Sequence, residues 1–421
     1  MFRSSPSKPL WRYGPWLLIA IAAAAYYPRF IKDPVGMTMY PQAASCLIHG
    51  QMLQRCDDGF TYPPLLGFLM LPLEPLPLWL RNLAWYLISI AVTTGAFRLA
   101  ERLAGQAVVP PLQHNEKIWL RLLTLGLSAK LILAVFENQA YDALVLFILL
   151  AGLTALAAGR EGLAGAGLAL AAALKATPLI FLPYLLWRRN FVAAAVFAVV
   201  LVGVSFAPDL FFTPAGAAHG YFVSWLREVA GASFGIDPDS AKFAFWRGAN
   251  IMNHSLHGAV SLNIDEHNQH ALHGAVLYSV DAMFVVVVGL LIARSPRGPQ
   301  SIAFDASLLL IGMLMLSPMS SRSHYVAMIL PYMTLIALGF RDARTINLGR
   351  AVLVASFALM TLAGNDVVGQ AVTNWAYAHS AMVLGALVLL IYFAALALRR
   401  GRQATCAAAE APGVGAAIRA E

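Results

Sequence analysis

Few residues of this chain can do polar chemistry, and most of them stand inside or beside long apolar runs. One group is Glu137-Asn138-Gln139 with Asp142, another is Lys175 in Leu174-Lys-Ala-Thr-Pro178, and a third is Arg322-Ser-His324-Tyr325 after Ser317-Pro318. A charged or amide side chain within an apolar run is unfavourable by several kcal/mol unless a partner or a cavity receives it. Taken singly, each has an ordinary explanation as a helix cap, an interhelical hydrogen bond or a base reaching for the interface. Together, a carboxylate, an ammonium, a guanidinium and an imidazole can move a proton and hold an anion, which favours a polar cavity under one surface of the molecule.

Five histidines, His254, His257, His267, His270 and His273, lie near Asp265 and Glu266. Three-residue spacing brings side chains together on a helix. The stretch has neither an HExxH motif nor a cysteine pair, so no metal is expected, a divalent cation is unsupported, and no other cofactor is implied. The chain also lacks a GxxxxGK[ST] phosphate loop, a GxSxG elbow and a strand for a dinucleotide fingerprint, which removes support for ATPase, hydrolase and dehydrogenase chemistry.

The elements that must position these groups follow from composition. Of 421 residues, 59% are hydrophobic and 12% are charged, about half the ~25% charge of soluble domains, which excludes a soluble globular protein. Apolar runs of roughly 17 to 25 residues match a hydrocarbon core about 30 Å thick, whereas a transmembrane barrel would show alternation over about 10 residues. The expected fold is an all-α polytopic membrane protein of about 10–12 spans. Spans read at about 15–31, 190–207, 276–293, 301–317, 325–340, 350–364 and 380–398. Between residues 63 and 187, Pro63, Pro64, Pro72, Pro75, Pro77 and Pro178 interrupt the runs. Prolines at membrane depth imply short or broken helices lining a protein cavity.

The formal charge of +8 is explained by placement. Basic residues follow the apolar runs at Arg188 and Arg189, Arg294 and Arg297, Arg341 and Arg344, and Arg399, Arg400 and Arg402, and the positive-inside rule makes those loops cytoplasmic. No aromatic-interleaved basic stripe is present, so no nucleic-acid partner is expected. Acidic residues gather in the alternate loops, which are then extracytoplasmic. The organisation expected is a cytoplasmic segment 1–12, one transmembrane domain 13–400 and a disordered cytoplasmic tail 401–421, with two long outer loops at about 32–62 and 208–274. Cys46 and Cys56 share the first outer loop and are expected to form a disulfide in an oxidising compartment. Tyr221-Phe-Val-Ser-Trp-Leu-Arg227 in the second loop reads equally as an interfacial helix or as a packed cap.

In order along the chain, these motifs resemble glycosyltransferase family 87, polyprenyl-phosphate-sugar-dependent integral membrane glycosyltransferases of the GT-C class that include bacterial mannosyltransferases. Tyr40, Ala43-Ala44 and Gly50 resemble the family's tyrosine, small pair and glycine, and Phe60-Thr-Tyr62-Pro-Pro64 with Pro72-Leu73 and Leu76-Pro77 resembles its YPP and PL..LP signature. Asn138-Gln139 is similar to its GQ turn, Lys175-Ala-Thr-Pro178 to its K.TP motif, Asn253-His-Ser255 to its NQS motif, and Ser317-Pro318 through His324-Tyr325 to its SP…HHY motif.

The resemblance implies a GT-C-like bundle in a bacterial plasma membrane, both termini cytoplasmic, with the active site on the periplasmic or exterior side. It implies transfer of a hexose such as mannose, with inversion, from a polyprenyl phosphate to a hydroxyl of a lipid or glycan acceptor, among membrane lipids. Lys175, Arg322 and Arg247 are the expected phosphate holders, and Tyr40, Tyr62, Asn138, Gln139, Asp142, Asn253, Ser255 and Tyr325 complete the substrate-binding set. The family's usual aspartate four residues before Tyr40 is replaced by Gly36. Asp33 is the first substitute for that base, with Asp57 and Asp58 behind it, and His324 is a second catalytic candidate. The competing expectations are a catalytically divergent relative and a non-enzymatic lipid or solute transporter.

Overall fold

The computed structural model of the chain describes residues 24–56, 60–231, 249–265, 268–341, 343–362 and 364–410. Segment 1–12, most of the first expected span, Asp57, Asp58, Arg247, Glu266, His267 and residues 411–421 lie outside them. Among the described residues the secondary structure is helical, without strands.

The chain opens with α1 (24–30), α2 (Val35–Ile48), α3 (Leu53–Cys56) and α4 (Pro64–Leu69). The ends of α2 and α3 are joined by a Cys46–Cys56 disulfide with a Cα–Cα distance of 6.4 Å. Two long helices follow, α5 (Leu78–Gln106) and α6 (His114–Glu137), each long and apolar enough to cross a membrane. Their outward faces carry Leu87, Leu122, Leu123 and Leu125 exposed, as lipid contact requires.

The middle of the chain is cut into shorter apolar helices: α7 (Asp142–Ala157), α8 (Glu161–Leu174), α9 (Phe181–Trp187) and α10 (Phe191–Ser205). Helix α8 is wedged between α7 and α10, and glycines allow the approach. A Cβ on Gly165 would stand 2.2 Å from the Ala193 carbonyl oxygen, and one on Gly167 would stand 3.1 Å from Gly152 Cα. Close backbone contact of this kind is how helices associate where apolar burial gives no drive.

Short α11 (Ala207–Phe211) and α12 (Tyr221–Trp225) come next. The aromatic stretch from Tyr221 forms a packed cap. Tyr221 is fully buried, Asp209 accepts from its backbone N–H, and Trp225 Nε1 donates to Thr61 O at 3.0 Å. Then follow α13 (Leu256–Asn263), the long α14 (His270–Arg294), α15 (Ile302–Met315), a 3₁₀ segment Arg322–Met328 running into α16 (Ile329–Gly339), α17 (Ala343–Phe357), α18 (Asn365–Ala378) and α19 (Ala381–Glu410). Helices α15 and α16 form the centre, with every residue of α15 buried. Helix α19 runs into residues expected as a tail, where Ala404, Ala407, Ala408 and Ala409 supply high helix propensity.

Among the described residues, four single helices meet the length and apolarity of a span, or five if the pair flanking the 82° bend before α18 counts as one. This is fewer than the 10–12 spans expected, because the middle of the chain is cut into apolar helices of 10–17 residues, too short to qualify. Helix α6 has Glu116 at its start and Glu137 at its end, about 30 Å apart by helical rise. At the Glu116 end, Arg341 Nη1 and Nη2 hold the Glu116 carboxylate at 2.6 and 2.8 Å. Arg188 is ion-paired to the fully buried Asp305, donates to Ser295 O at 3.0 Å, and shares Asp305 with Tyr184 OH. The groups singled out for chemistry lie at the opposite, Glu137 end.

Candidate active site

The turn between α6 and α7 carries Asp142 into place. Helix α6 ends in a Schellman arrangement, with Ala140 N–H on Val135 O at 2.9 Å and Gln139 N–H on Phe136 O at 3.1 Å. Gln139 adopts φ +48°, which costs a residue with a side chain about 1–2 kcal/mol. Its amide offsets that cost. Gln139 Oε1 accepts from Met37 N–H at 2.9 Å, Nε2 donates to Phe30 O and Asn82 Oδ1 at 3.1 and 2.9 Å, and its carbonyl accepts from Trp85 Nε1 at 2.9 Å. Gln139 therefore works as a joint between α1, α2, α5 and the turn, with both ends of its amide occupied. Asn138 beside it is exposed. Asp142 then opens α7, where the unpaired amides of a first turn favour an anion.

Lys175 comes from the break after α8. It is extended, with φ −151° and ψ 118°, and Pro178 in the following 3₁₀ turn has no N–H with which to continue the α-helix. Its Nζ donates to Asp142 Oδ1 at 2.5 Å and lies 5.9 Å from the centre of the Tyr141 ring. The 3₁₀ segment at Arg322 completes the group. Ser323 Oγ donates to Asp142 Oδ2 at 3.0 Å, and His324 Nε2 stands 3.7 Å from Asp142 Oδ1. His324 Nδ1 accepts the Ser321 backbone N–H at 3.2 Å, so in the neutral ring the proton sits on Nε2, facing the carboxylate. Three donors thus converge on one carboxylate that is 7% exposed.

Beside them lies a small cavity. Asp142, Lys175, Thr177, Ser320 and His324 form its polar side, and Val145, Leu146, Leu149, Met313 and Leu314 its apolar side. Above Asp142 stand three tyrosines, Tyr40, Tyr62 and Tyr141, meeting edge to face with ring centres 5.0 to 5.8 Å apart. Tyr141 OH donates to Leu174 O at 3.3 Å, which ties the Asp142 turn to the Lys175 break.

Asn253, Ser255 and Tyr325 hold the Ser317–Tyr325 segment in register. Asn253 Nδ2 donates to Pro318 O at 2.9 Å, while its Oδ1 accepts from Ser320 N–H at 3.1 Å and from Ser255 Oγ at 2.8 Å. Ser255 also caps α13 through Gly258 N–H, and Tyr325 OH donates to His254 O at 2.6 Å. His254 is 1% exposed with Nε2 unpartnered, its ring 4.6 Å from that of Tyr377. Burial, with Arg322 and His324 nearby adding to it, holds its imidazole down to about 3 from an ordinary 6.5.

Arg322 points away from Asp142 to Glu137 Oε2 at 2.8 Å. Glu137 also meets Arg29 at 3.1 Å and Lys130 at 3.6 Å, and Asp366 joins both bases, so the neighbouring cluster holds three cations and two carboxylates. Asp33 lies in the exposed turn before α2. Gly36 is buried, and a Cβ there would stand 2.6 Å from Gln139 O and 2.8 Å from Gln139 Cβ. Ser323 and Tyr141 join the site although nothing in the sequence marks them beyond their adjacency to Arg322, His324 and Asp142, and only the meeting of the breaks reveals them.

The chain is thus a multi-pass helical membrane protein in which Asp142, Lys175 and His324 line one half-apolar cavity. It belongs to glycosyltransferase family 87, whose profile matches residues 60–318, a stretch that contains Asp142 and Lys175 and stops before Arg322 and His324. It is 28% identical over 297 residues to the polyprenol-phosphate-mannose-dependent alpha-(1-2)-phosphatidylinositol pentamannoside mannosyltransferase of Mycolicibacterium smegmatis, covering 69% of this chain and 65% of that one. It is 26% identical over 270 residues to the protein of the same name from Mycobacterium tuberculosis, covering 63% and 56%. The matched region therefore spans less than two thirds of the length of either relative.

Proposed function

We propose that this protein transfers a hexose, mannose by analogy with its relatives, from a polyprenyl phosphate to a hydroxyl of a glycolipid or glycan acceptor on the outer face of a bacterial plasma membrane. The observation that carries this reading is the convergence of Lys175, Ser323 and His324 on one anion at the mouth of a cavity whose other side is apolar. A lipid-linked sugar phosphate presents the same sequence of chemistry, with a charged phosphate next to an isoprenoid tail.

Lys175 Nζ and His324 Nε2–H are the donors for the departing phosphate, and such donors act most strongly where water is excluded. Val145, Leu146, Leu149, Met313 and Leu314 give the first isoprene unit an apolar wall. Tyr40, Tyr62 and Tyr141 offer ring faces and edges to the sugar. Arg322, held by Glu137, and Arg247 are reserve cations for phosphate, while Asn253, Ser255 and Tyr325 keep the His324 segment in place. The positive-inside rule supports the orientation, because Arg188, Arg294 and Arg341 lie at the end of the bundle opposite Asp142, leaving the site to the outer side and both termini inside.

The test is turnover by the purified protein in nanodiscs, supplied with labelled polyprenyl-phosphate mannose and a membrane glycolipid extract. Release of polyprenyl phosphate in step with labelled acceptor is the expected result. No release across a panel of sugar donors refutes the transferase reading and leaves transport, for which labelled lipid or solute crossing sealed proteoliposomes is the measurement.

A further inference from the structure

We infer that Asp142 is the general base, the residue that takes the proton from the acceptor hydroxyl, and that the donor's phosphate readies it by drawing Lys175 away. The inference rests on the transferase reading above and adds a residue role to it. Three observations carry it.

First, Asp142 is the carboxylate that lines the cavity together with Lys175 and His324. Glu137 lies outside that cavity lining, paired to Arg29 and Arg322, and Asp33 stands in an exposed turn. Second, position 36, one helical turn before Tyr40, has no room for any side chain, since the Gln139 backbone fills the place of a Cβ. The Gln139 that closes this position sits three residues before Asp142 in the same turn. The backbone that excludes an acid from α2 thus delivers one from the start of α7. Third, the donors around Asp142 are those a phosphate would attract. A carboxylate in contact with an ammonium is a poor proton acceptor, and removing the cation restores its basicity. When the donor's phosphodiester enters, Lys175 Nζ gains a second anion to hold, one whose charge rises as the bond to the sugar breaks, and Asp142 is left with Ser323 Oγ, which orients it without neutralising it.

The step balances as follows. The acceptor O–H proton passes to a carboxylate oxygen of Asp142 while the acceptor oxygen bonds to the anomeric carbon. The bond from that carbon to the phosphate oxygen breaks, and its electron pair leaves with the polyprenyl phosphate, whose negative charge Lys175 and His324 hold.

Replacing Asp142→Asn keeps the shape and removes the proton acceptor. With labelled polyprenyl-phosphate mannose and glycolipid extract, acceptor-dependent turnover should fall by about 10³-fold, within the usual span of general-base catalysis, while the donor KM changes only a few-fold. Azide separates this role from a structural one, because it attacks the anomeric carbon with no proton to lose. In Asp142→Asn, azide should restore lipid-phosphate release and yield mannosyl azide by mass spectrometry. Wild-type turnover in Asp142→Asn, or failure of azide to restore release in folded variant, overturns the assignment. So does loss of turnover in Asp33→Asn that azide rescues there instead.

If Asp142→Asn is not recovered as monodisperse protein, Asp142→Glu is read in its place. It keeps the charge but moves the carboxylate by one methylene, so a drop in kcat with an unchanged donor KM supports the base and an unchanged kcat overturns it. Wild-type protein that releases no lipid phosphate from any donor sinks the transferase reading itself and this assignment with it, an outcome distinct from an active wild type with an active Asp142→Asn.

Discussion

Putting an acid back at position 36 should damage the protein instead of improving it. The Cβ of Gly36→Ala or Gly36→Asp would start 2.6 Å from Gln139 O and 2.8 Å from Gln139 Cβ, and neither is the free end of a flexible side chain. Restoring an ordinary contact means moving the Gln139 backbone by roughly 1 Å against its bonds from Met37 and Trp85 and its own amide bonds to Phe30 and Asn82. Overpacking of this kind destabilises by about 1–3 kcal/mol. The carboxylate of Gly36→Asp would add the cost of a buried polar group without a partner, about another 1–3 kcal/mol. Because Gln139 and Asp142 share one turn, the shift also displaces Asp142 from Lys175, so turnover should fall along with stability. The assay is denaturant unfolding of the detergent-solubilised protein, with Gly105→Ala as control. Nothing lies within 4 Å of a Cβ at Gly105, in the last turn of α5, and alanine there should be neutral or slightly stabilising. A Gly36→Asp protein as stable as wild type, and faster, would show that position 36 has room for an acid and would refute both the steric argument and the role given to Asp142.

Three further outcomes follow from the same geometry. Lys175→Met should lower kcat/KM for the lipid donor by at least about 100-fold, with Lys175→Arg recovering part, because one donor to a developing oxyanion is worth about 10²–10³ in rate; steady-state kinetics with labelled donor decide it, and an unchanged value removes Lys175 from phosphate binding. Arg188→Met should destabilise by about 3–5 kcal/mol, since it strands the fully buried Asp305, while Arg188→Met with Asp305→Leu should regain most of the loss; equal stability of the single and double variants would contradict a buried ion pair. His254 should make the fold sensitive to acid. The unfolded imidazole takes up a proton near 6.5 and the folded one only near 3, so stability is full above about 6.5 and is lost as pH falls, by about 1.4 kcal/mol for each unit in between. Unfolding curves of wild type and His254→Gln between pH 7 and 5 should therefore diverge, and parallel curves would show that the imidazole protonates within the fold.

The spans after residue 187 were legible because lipid contact imposes one rule on every residue that meets it: Val285, Val286 and Leu290 on α14 are apolar and exposed. Helices α5 and α6 obey the same rule but lie among the prolines between residues 63 and 187, where the sequence left the spans unassigned. Lys175, Asp142 and His324 were legible for the converse reason, that a charge in an apolar run needs a partner. Which partner was not legible. Asp142 and Lys175 are 33 residues apart, and Asp142 and Ser323 are 181 apart. Their meeting depends on where three helices stop: α6 at a left-handed Gln139, α8 at an extended Lys175, and α15 before a 3₁₀ turn. Pro178 and Pro318 announce two of these stops in the sequence and Gln139 does not announce the third, and none of the three says which other stop it will face.

Gln139 shows how a residue can be picked correctly for its surroundings while its task stays hidden. An amide at membrane depth invites a substrate, yet this one is saturated by backbone and side-chain partners from three elements. Its effect on chemistry is transmitted through position. It closes the space at Gly36 and sets the turn that presents Asp142 to Lys175. The lack of space at position 36 and the placement of Asp142 against Lys175 are therefore two consequences of a single packed turn.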